Sequence, residues 1–503
     1  MTVGGWTMVS RVLGFLRDII FAAFLGAGPV AEAFVIAFSL PNMFRRFFGE
    51  GAFNMAFVPM FAKKLEAGED PIDFARDALS GLAGILIVFT VVAQMAMPWL
   101  VVAMASGFGG DERFDLAVLF GRIVFPYILF ISLAALLSGV LNSAGRFAAA
   151  AAAPVLLNVV LIGAMVLAEF SGADFGMALA WAVPVAGVAQ LTMIWIAADR
   201  AGFRIVPRRP KMTPELKQLA IIAAPAALAG GVIQVNLLVG RQVASFFEGS
   251  IQYLNLADRL YQLPLGVVAI AIGVVLLPEL ARKLRAGDDE GGRASFNRAT
   301  EFALLLTVPA AIALVAIPLP LISVLFQRGA FTAADAQATA LALAIYGLGL
   351  PSFVLQKVLQ PLYFARADTR TPFRFALVGM AVNAVLAVIL AFWLGYVAAA
   401  IATTVSGWAM VWLLWRGSRD MGPCAQADER LINRIWRIMA ASLVMGAVLL
   451  VGNAMLGTWL YAPGARYVAL SVLLIAGIST YFLAGRAFGA FSMAEIRNSV
   501  KRA

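Results

Sequence analysis

FVPMFAKKLEAGED, residues 57–70, returns 219 residues later as LLPELARKLRAGDD, residues 276–289, with Pro, Ala, Lys, Leu, Ala, Gly and Asp at equivalent places. Each copy closes a long apolar run with basic residues and an acidic turn. Outward from it, Leu40-Pro41 precedes the first copy as Leu263-Pro264 precedes the second, and the Asn142 to Asn158 region follows the first as Tyr363 to Asn383 follows the second. A membrane-spanning helix takes roughly 20 mostly apolar residues, and the interval holds an even number of such runs. The two copies therefore share one orientation, related by an axis along the membrane normal. This reading divides the chain into residues 1–210, a six-helix lobe; 211–430, its repeat; and 431–503, two helices outside the repeat.

The composition demands a bilayer. Of 503 residues, 62% are hydrophobic and 13% charged, and the mean hydropathy is +0.90. In lipid only helices and closed barrels satisfy their own backbone groups, and these apolar runs are too long and too unalternating for barrel strands. The expected fold is an all-α polytopic membrane protein of about fourteen spans, by the length rule. Among them are runs at about 5–27, 30–60, 76–104, 115–142 and 297–326. Arg11 interrupts the first run, so it reads as a retained helix rather than a cleaved signal.

Histidine is absent and Cys424 is the sole cysteine, which excludes His-dependent triads, His-ligated zinc and an internal disulfide. The net charge of +10 resides in alternate connections. One set carries Lys63, Lys64, Arg146, Arg204, Arg208, Arg209, Lys211, Arg282, Lys283, Arg285, Arg366, Arg370, Arg416, Arg419 and Arg430. The other carries little beyond Arg113, Arg328 and Arg466. The positive-inside rule places the first set and both termini in the cytoplasm and makes nucleic acid an unnecessary partner.

Charge inside the spans is the functional signal, because Asp, Lys or Arg at a helix centre costs about 2.5–3.5 kcal/mol on the insertion scale. SRVLGFLRDIIFAAFLGAG, residues 10–28, sets Arg11 and Asp18 seven residues apart on nearly one face, with Arg17 about 100° away. AEAFVIAFSLPNMFRRFFGEGAFNMAFVPMF, residues 31–61, carries Glu32, a kink at Pro41, then Arg45, Arg46 and Glu50, the last two at i,i+4 spacing. In the second half YLNLADRLYQLPLG, residues 253–266, puts Asp258 and Arg259 shortly before Pro264. Guanidinium forks match phosphate oxygens, so the expected cargo is anionic, and Arg11, Arg17 and Arg259 are the cations hardest to explain otherwise. Asp18, Glu32, Arg46, Glu50 and Asp258 are the charge-pairing or gating candidates. Arg46–Glu50 also reads as a simple internal ion pair, and Arg45 as a snorkelling residue. No phosphate-binding loop and no metal motif stands out, so neither an ATP-driven motor nor a cofactor is expected.

In these stretches, with ADRLYQLPLGVVAIAIGVVLLPEL and SVLFQRGAFTAADA, the chain resembles the MurJ/MviN family of lipid II flippases, within the superfamily of multidrug and oligosaccharide-lipid exporters. The resemblance covers nearly the whole length. It implies two six-helix lobes around a cationic cavity, with the two last helices supplying a groove for a polyprenyl tail. It implies a substrate, lipid II, that is an undecaprenyl-diphosphate-linked disaccharide-pentapeptide, moved across the bacterial inner membrane from the cytoplasmic to the periplasmic leaflet. Cell-wall elongation and division machinery are the implied partners. The family's cavity arginines fall on Arg11, Arg17, Arg45 and Arg259, and its helix-2 aspartate on Glu32. Some members bind sodium through acids in helices 7 and 11; here those spans offer Asn236 and Asn383, and no sodium site is expected. The competing readings are another polyprenyl-linked oligosaccharide or drug exporter, a scaffold, and a membrane-embedded transferase using the AGED or AGDDE loops.

Overall fold

The computed structural model describes residues 3–48 and 52–491, and their side chains except at 46–48, 52–53, 55, 224–237 and 267–277. Among the described residues there is no strand. The helices are α1 (Val3–Leu25), α2 (Pro29–Phe48), α3 (Ala52–Ala67), α4 (Pro71–Met95), α5 (Met97–Ala105), α6 (Glu112–Val124), α7 (Tyr127–Ser143), α8 (Ala148–Ser171), α9 (Phe175–Arg200) and α10 (Pro214–Ser245). There follow α11 (Ser250–Arg285), α12 (Asp289–Ala316), α13 (Pro318–Phe326), α14 (Ala333–Phe364), α15 (Arg370–Leu394), α16 (Val397–Ser418), α17 (Glu429–Met455), α18 (Gly457–Tyr461) and α19 (Ala465–Ala487). Packing divides the chain into two compact units, Met1–Gln252 with Arg328–Phe331, and Tyr253–Gln327 with Thr332–Ala503. The sequence repeat restarts near residue 211, whereas packing divides at 252, because α10 lies with the first unit.

Ten helical segments among the described residues are long and apolar enough to cross a membrane. Outside that set stand α1, α2, α3, α10 and α11, and the short helices α5, α13 and α18. Of these, α1 carries Arg11, Arg17 and Asp18, and α2 carries Glu32, Arg45 and Arg46. Several expected single spans are broken by proline. The run at 76–104 divides between α4 and α5, with Pro98 in the first turn of α5, and the run at 297–326 divides between α12 and α13 at Pro318. The run at 115–142 divides at Phe125-Pro126. Proline has no N–H to give the preceding turn, and it sits without loss where a new helix begins.

The turns repeat along with the helices. Left-handed backbone occurs at Gly26, Gly68, Gly110, Gly145, Gly172 and Gly202, and again at Gly249, Gly287, Gly329, Ala367, Gly395 and Gly422, each 219 to 223 residues on. After α3 the Glu69 N–H donates to the Lys64 carbonyl, and after α11 the Asp288 N–H donates to that of Lys283, both at 3.0 Å. One helix-ending hydrogen bond thus serves both copies. Loop docking also recurs, with reversed charge. In the first unit Arg208 forks onto Asp77 of α4 with two contacts of 2.6 Å; in the second, Asp428 accepts from Arg298 of α12 at 2.5 Å.

Helices α17 and α19, outside the repeat, lay Ile438, Met445, Leu449, Leu470 and Leu473 against Leu304 and Val308 of α12. The Tyr481 hydroxyl donates to the Leu305 carbonyl at 2.7 Å. Lipid tails are as apolar as leucine, so van der Waals fit and such hydrogen bonds hold these helices together.

At the turn where the first copy has Gly145 (φ 73°) the second has Ala367 (φ 59°), a conformation that costs an L-residue about 1–2 kcal/mol. Ala367→Gly should raise the thermal midpoint of the detergent-purified protein, and Gly145→Ala should lower it. Each should amount to about 1 kcal/mol; shifts of the same sign for both would contradict the equivalence of the turns.

Candidate functional site

Arg17 and Asp18 are neighbours on α1, and the arginine folds back over the acid: its Nε and Nη2 both reach Asp18 Oδ1, at 3.1 and 2.7 Å. Its Nη1 donates to Asn158 Oδ1 of α8 at 3.1 Å. The amide of Asn158 continues the chain by donating to the Ser10 carbonyl at 3.1 Å. One side chain of α8 therefore holds both a cation of α1 and the backbone of α1 two turns earlier. Gly14 lies between these points, where an added Cβ would stand 3.5 Å from Asn158 Nδ2. The Arg17 and Asp18 side chains are only 13% and 10% exposed, so each charge depends on the other. Arg11, further toward the start of α1, is exposed and makes no ion pair or hydrogen bond with the described residues.

Arg45 of α2 lines a cavity of about 750 Å³ inside the first unit, with α3, α7, α8 and α9 forming the remaining walls. Gln190 is fixed at its edge, accepting from the Tyr127 hydroxyl at 3.1 Å and donating to the Ala153 carbonyl at 2.6 Å. The Arg46 side chain and Glu50 lie outside the described residues.

Glu32 stands at the other end of α2 and is 1% exposed. Its Oε2 accepts from Arg113 Nη1 at 3.0 Å, and its Oε1 accepts the N–H of Ile251, in the first turn of α11, at 2.9 Å. Arg113 itself is buried, donates to Asp111 through Nε at 2.8 Å and Nη2 at 2.5 Å, and stacks 4.5 Å from the Phe108 ring centre. Asp111 caps α6 by accepting the Arg113 N–H at 2.8 Å. Burial opposes the Asp111 charge, yet the Arg113 hydrogen bonds hold its carboxyl below the usual carboxylate range. Glu32 thus ties together the first turns of α2, α6 and α11, where unpaired N–H groups and the helix dipoles favour negative charge.

In the second unit Asp258 and Arg259 follow one another on α11. Asp258 is half-buried and accepts from Gln262 one turn on, and Arg259 is exposed. The described candidates occur as Arg17 with Asp18, Arg45 at the cavity, Glu32 with Arg113, and Asp258 beside Arg259. Sequence reasoning missed Arg113 as the partner of Glu32, 81 residues distant. It also missed Asn158 as the partner of Arg17; the available signal was a lone amide in an otherwise apolar span. Among the described residues no group of three or more acidic, Cys or His side chains is placed to hold a metal ion. Asn383 is buried in α15, and the Asn236 side chain lies outside the described residues.

Comparison with known proteins gives a consistent result. The profile of the family "Lipid II flippase MurJ" matches residues 21–476. The chain is 45% identical to a probable lipid II flippase MurJ of Rhizobium meliloti, over all of this chain and 95% of the relative. It is 38% identical to the lipid II flippase MurJ of Burkholderia cenocepacia, over 75% of each. A solved lipid II flippase MurJ in an inward closed conformation superposes with a TM-score of 0.81 at 25% identity, covering 97% of this chain and 98% of that one. An inward-facing multidrug transporter of the MATE family, at 16% identity and a TM-score of 0.69 over 82% of this chain and 95% of its own, shares the fold.

Removing one partner of a buried ion pair strands the other, at about 3–5 kcal/mol. Arg113→Met and Glu32→Leu should each lower the unfolding midpoint of the purified protein by several degrees, while the double variant should recover much of the loss. Additive losses in this cycle would show that the two residues do not stabilise the protein as a pair.

Proposed function

The chain belongs to the lipid II flippase MurJ family, and from that premise we propose that it carries lipid II, the undecaprenyl-diphosphate-linked disaccharide-pentapeptide, from the cytoplasmic to the periplasmic leaflet of the bacterial inner membrane. The observation that carries this reading is kinship along the whole chain at high identity. The protein is a multi-pass membrane transporter, not an enzyme, and lipid II is its substrate.

Alternating access is the mechanism that fits a chain built from two parallel repeats. Residues 1–210 and 211–430 act as the two moving lobes, and residues 431–503 provide the groove for the polyprenyl tail. Arg11, Arg17, Arg45 and Arg259 bind the diphosphate. Asp18, Glu50 and Asp258 hold or release those cations as the lobes move, Arg46 adds a neighbouring positive charge, and Glu32 acts through Arg113. A diphosphate offers several oxygens at hydrogen-bonding distance from planar guanidinium groups, and it neutralises charge that would otherwise oppose closure in a dry interior. Substrate binding thereby favours the closed state through a differential interaction. Both termini face the cytoplasm, and the cell-wall elongation and division machinery receives the product.

Depletion of the protein in its host should make the lipid-linked precursor inaccessible to an externally added modifying enzyme. The parent should restore access, whereas Arg17→Ala and Arg259→Ala, present in the membrane at parental levels, should leave it at less than about one tenth of the parental rate; losing one charged contact of about 1.5–3 kcal/mol predicts at least that. Full access without the protein would refute flipping by this chain.

A further inference from the structure

Two helix breaks of the first unit are tied to each other. Helix α4 gives way to α5 just before Pro98, and α6 gives way to α7 at Pro126. In an unbroken helix the Gln94 carbonyl would accept the N–H of residue 98, and the Arg122 carbonyl that of residue 126; proline supplies neither. Each orphaned carbonyl is met by the side chain from the other break. Gln94 Nε2 donates to the Arg122 carbonyl at 3.0 Å, and Arg122 Nε donates to the Gln94 carbonyl at 3.4 Å. The surface around them is apolar, with Val91, Val92, Met95 and Trp99 exposed. In a bilayer no water is at hand there to take their place.

Between the breaks, α5, residues 106–111 and α6 form one hairpin. Its arms touch at the base, where a Cβ on Gly121 of α6 would stand 2.6 Å from Met97 Sδ of α5. Its tip is fastened to the turn between α10 and α11. Gln242 donates to the carbonyls of Val102 and Ala103 at 2.9 and 2.7 Å and accepts the Ser106 N–H at 2.8 Å. Ser245 Oγ accepts the Gly107 N–H at 2.9 Å, and Arg113 shares Glu32 with the Ile251 N–H. Beyond Gln252 the chain enters the second unit. There Pro318 stands 220 residues after Pro98, but Leu314 takes the place of Gln94, and α14 runs unbroken from Ala333 to Phe364. Resting on the flippase reading above for its transport step, we infer that the α5–α6 hairpin swings as one piece about the paired proline breaks and carries the α10–α11 turn with it. Gln94 and Arg122 are positioning residues that need not meet cargo. They make both hinges bend together, because the bare carbonyl of each hinge is capped from the other.

The backbone at Phe125 and Pro126 is already helical, at φ −58°, ψ −36° and φ −54°, ψ −19°. Pro126→Ala therefore restores the missing N–H and gives the Arg122 carbonyl a partner within its own helix. Gln94→Met, of similar size and without the amide, should lower the unfolding midpoint of the purified full-length protein by a few degrees. That loss should vanish in the Pro126→Ala background. Flipping, read as access of the lipid-linked precursor to an external enzyme at equal protein levels, should part from stability. Pro126→Ala, no less stable than the parent, should slow it about three- to tenfold, the factor that one net hydrogen bond is worth in an equilibrium, and the double variant should stay as slow. A merely structural clasp would leave the Pro126→Ala rate at the parental value, and that result would overturn the hinge. An equal loss of midpoint from Gln94→Met with and without Pro126 would overturn the capping. A parent that restores no access would remove the flippase reading and the hinge's part in transport, while the midpoint cycle would still decide the capping.

Discussion

A bilayer has no water to pair a backbone amide, and everything else in this protein follows from that. Each unpaired group in hydrocarbon costs several kcal/mol, so the chain crosses as helices and confines irregular backbone to turns. Those turns are built from few devices: a left-handed residue, usually glycine, and a hydrogen bond back into the last turn. Their recurrence at one spacing through both halves shows that the repeat extends to how each helix is ended as well as to where the apolar runs fall.

The same scarcity of water governs the charges. A lone guanidinium in a span is expensive, and three described cations of the first unit meet that expense differently. Arg17 is neutralised by its neighbour and steadied by Asn158. Arg113 is held by two carboxylates and a ring. Arg45 faces a cavity. These arrangements differ in how easily they exchange partners. Asp18 competes directly with any phosphate that approaches Arg17, so binding there replaces one anion by another and the guanidinium need never be bare. Arg113 has no room for a third anion, and with Glu32 it acts as a fastening for three helix starts.

The all-α fold, the repeat and the embedded arginines were legible in the sequence because they depend on composition, period and local spacing. Arg11, Arg17, Asp18 and Glu32 announced themselves as charge in apolar runs, a signal that needs no tertiary knowledge. What they touch was not legible: Asn158 and Arg113 come from distant helices, and a helical pattern carries no record of which helix lies opposite. Arg113 was misleading for a further reason. It stands in a polar stretch, GGDERFD, that reads as a loop, and only the capping of α6 by Asp111 draws it into the first turn and turns it inward. Helix breaks within single apolar runs were missed because hydropathy averages over a proline that merely restarts the helix.

Glu32 shows how one side chain can join the starts of several helices. A buried carboxylate that accepts a guanidinium on one oxygen and a helix-terminal N–H on the other has both oxygens engaged. Separating the start of α11 from α2 would then expose the Ile251 N–H and weaken the hold on Arg113 at once, unless water enters as the helices part. Such a joint is stable while dry and gives way once wet, so the free energy of parting falls steeply when the first waters arrive. Its longer side chain, compared with the aspartate implied for the family at this position, lets the carboxylate reach both partners from the first turn of α2. The two contacts, of 3.0 and 2.9 Å, are both of ordinary hydrogen-bond length.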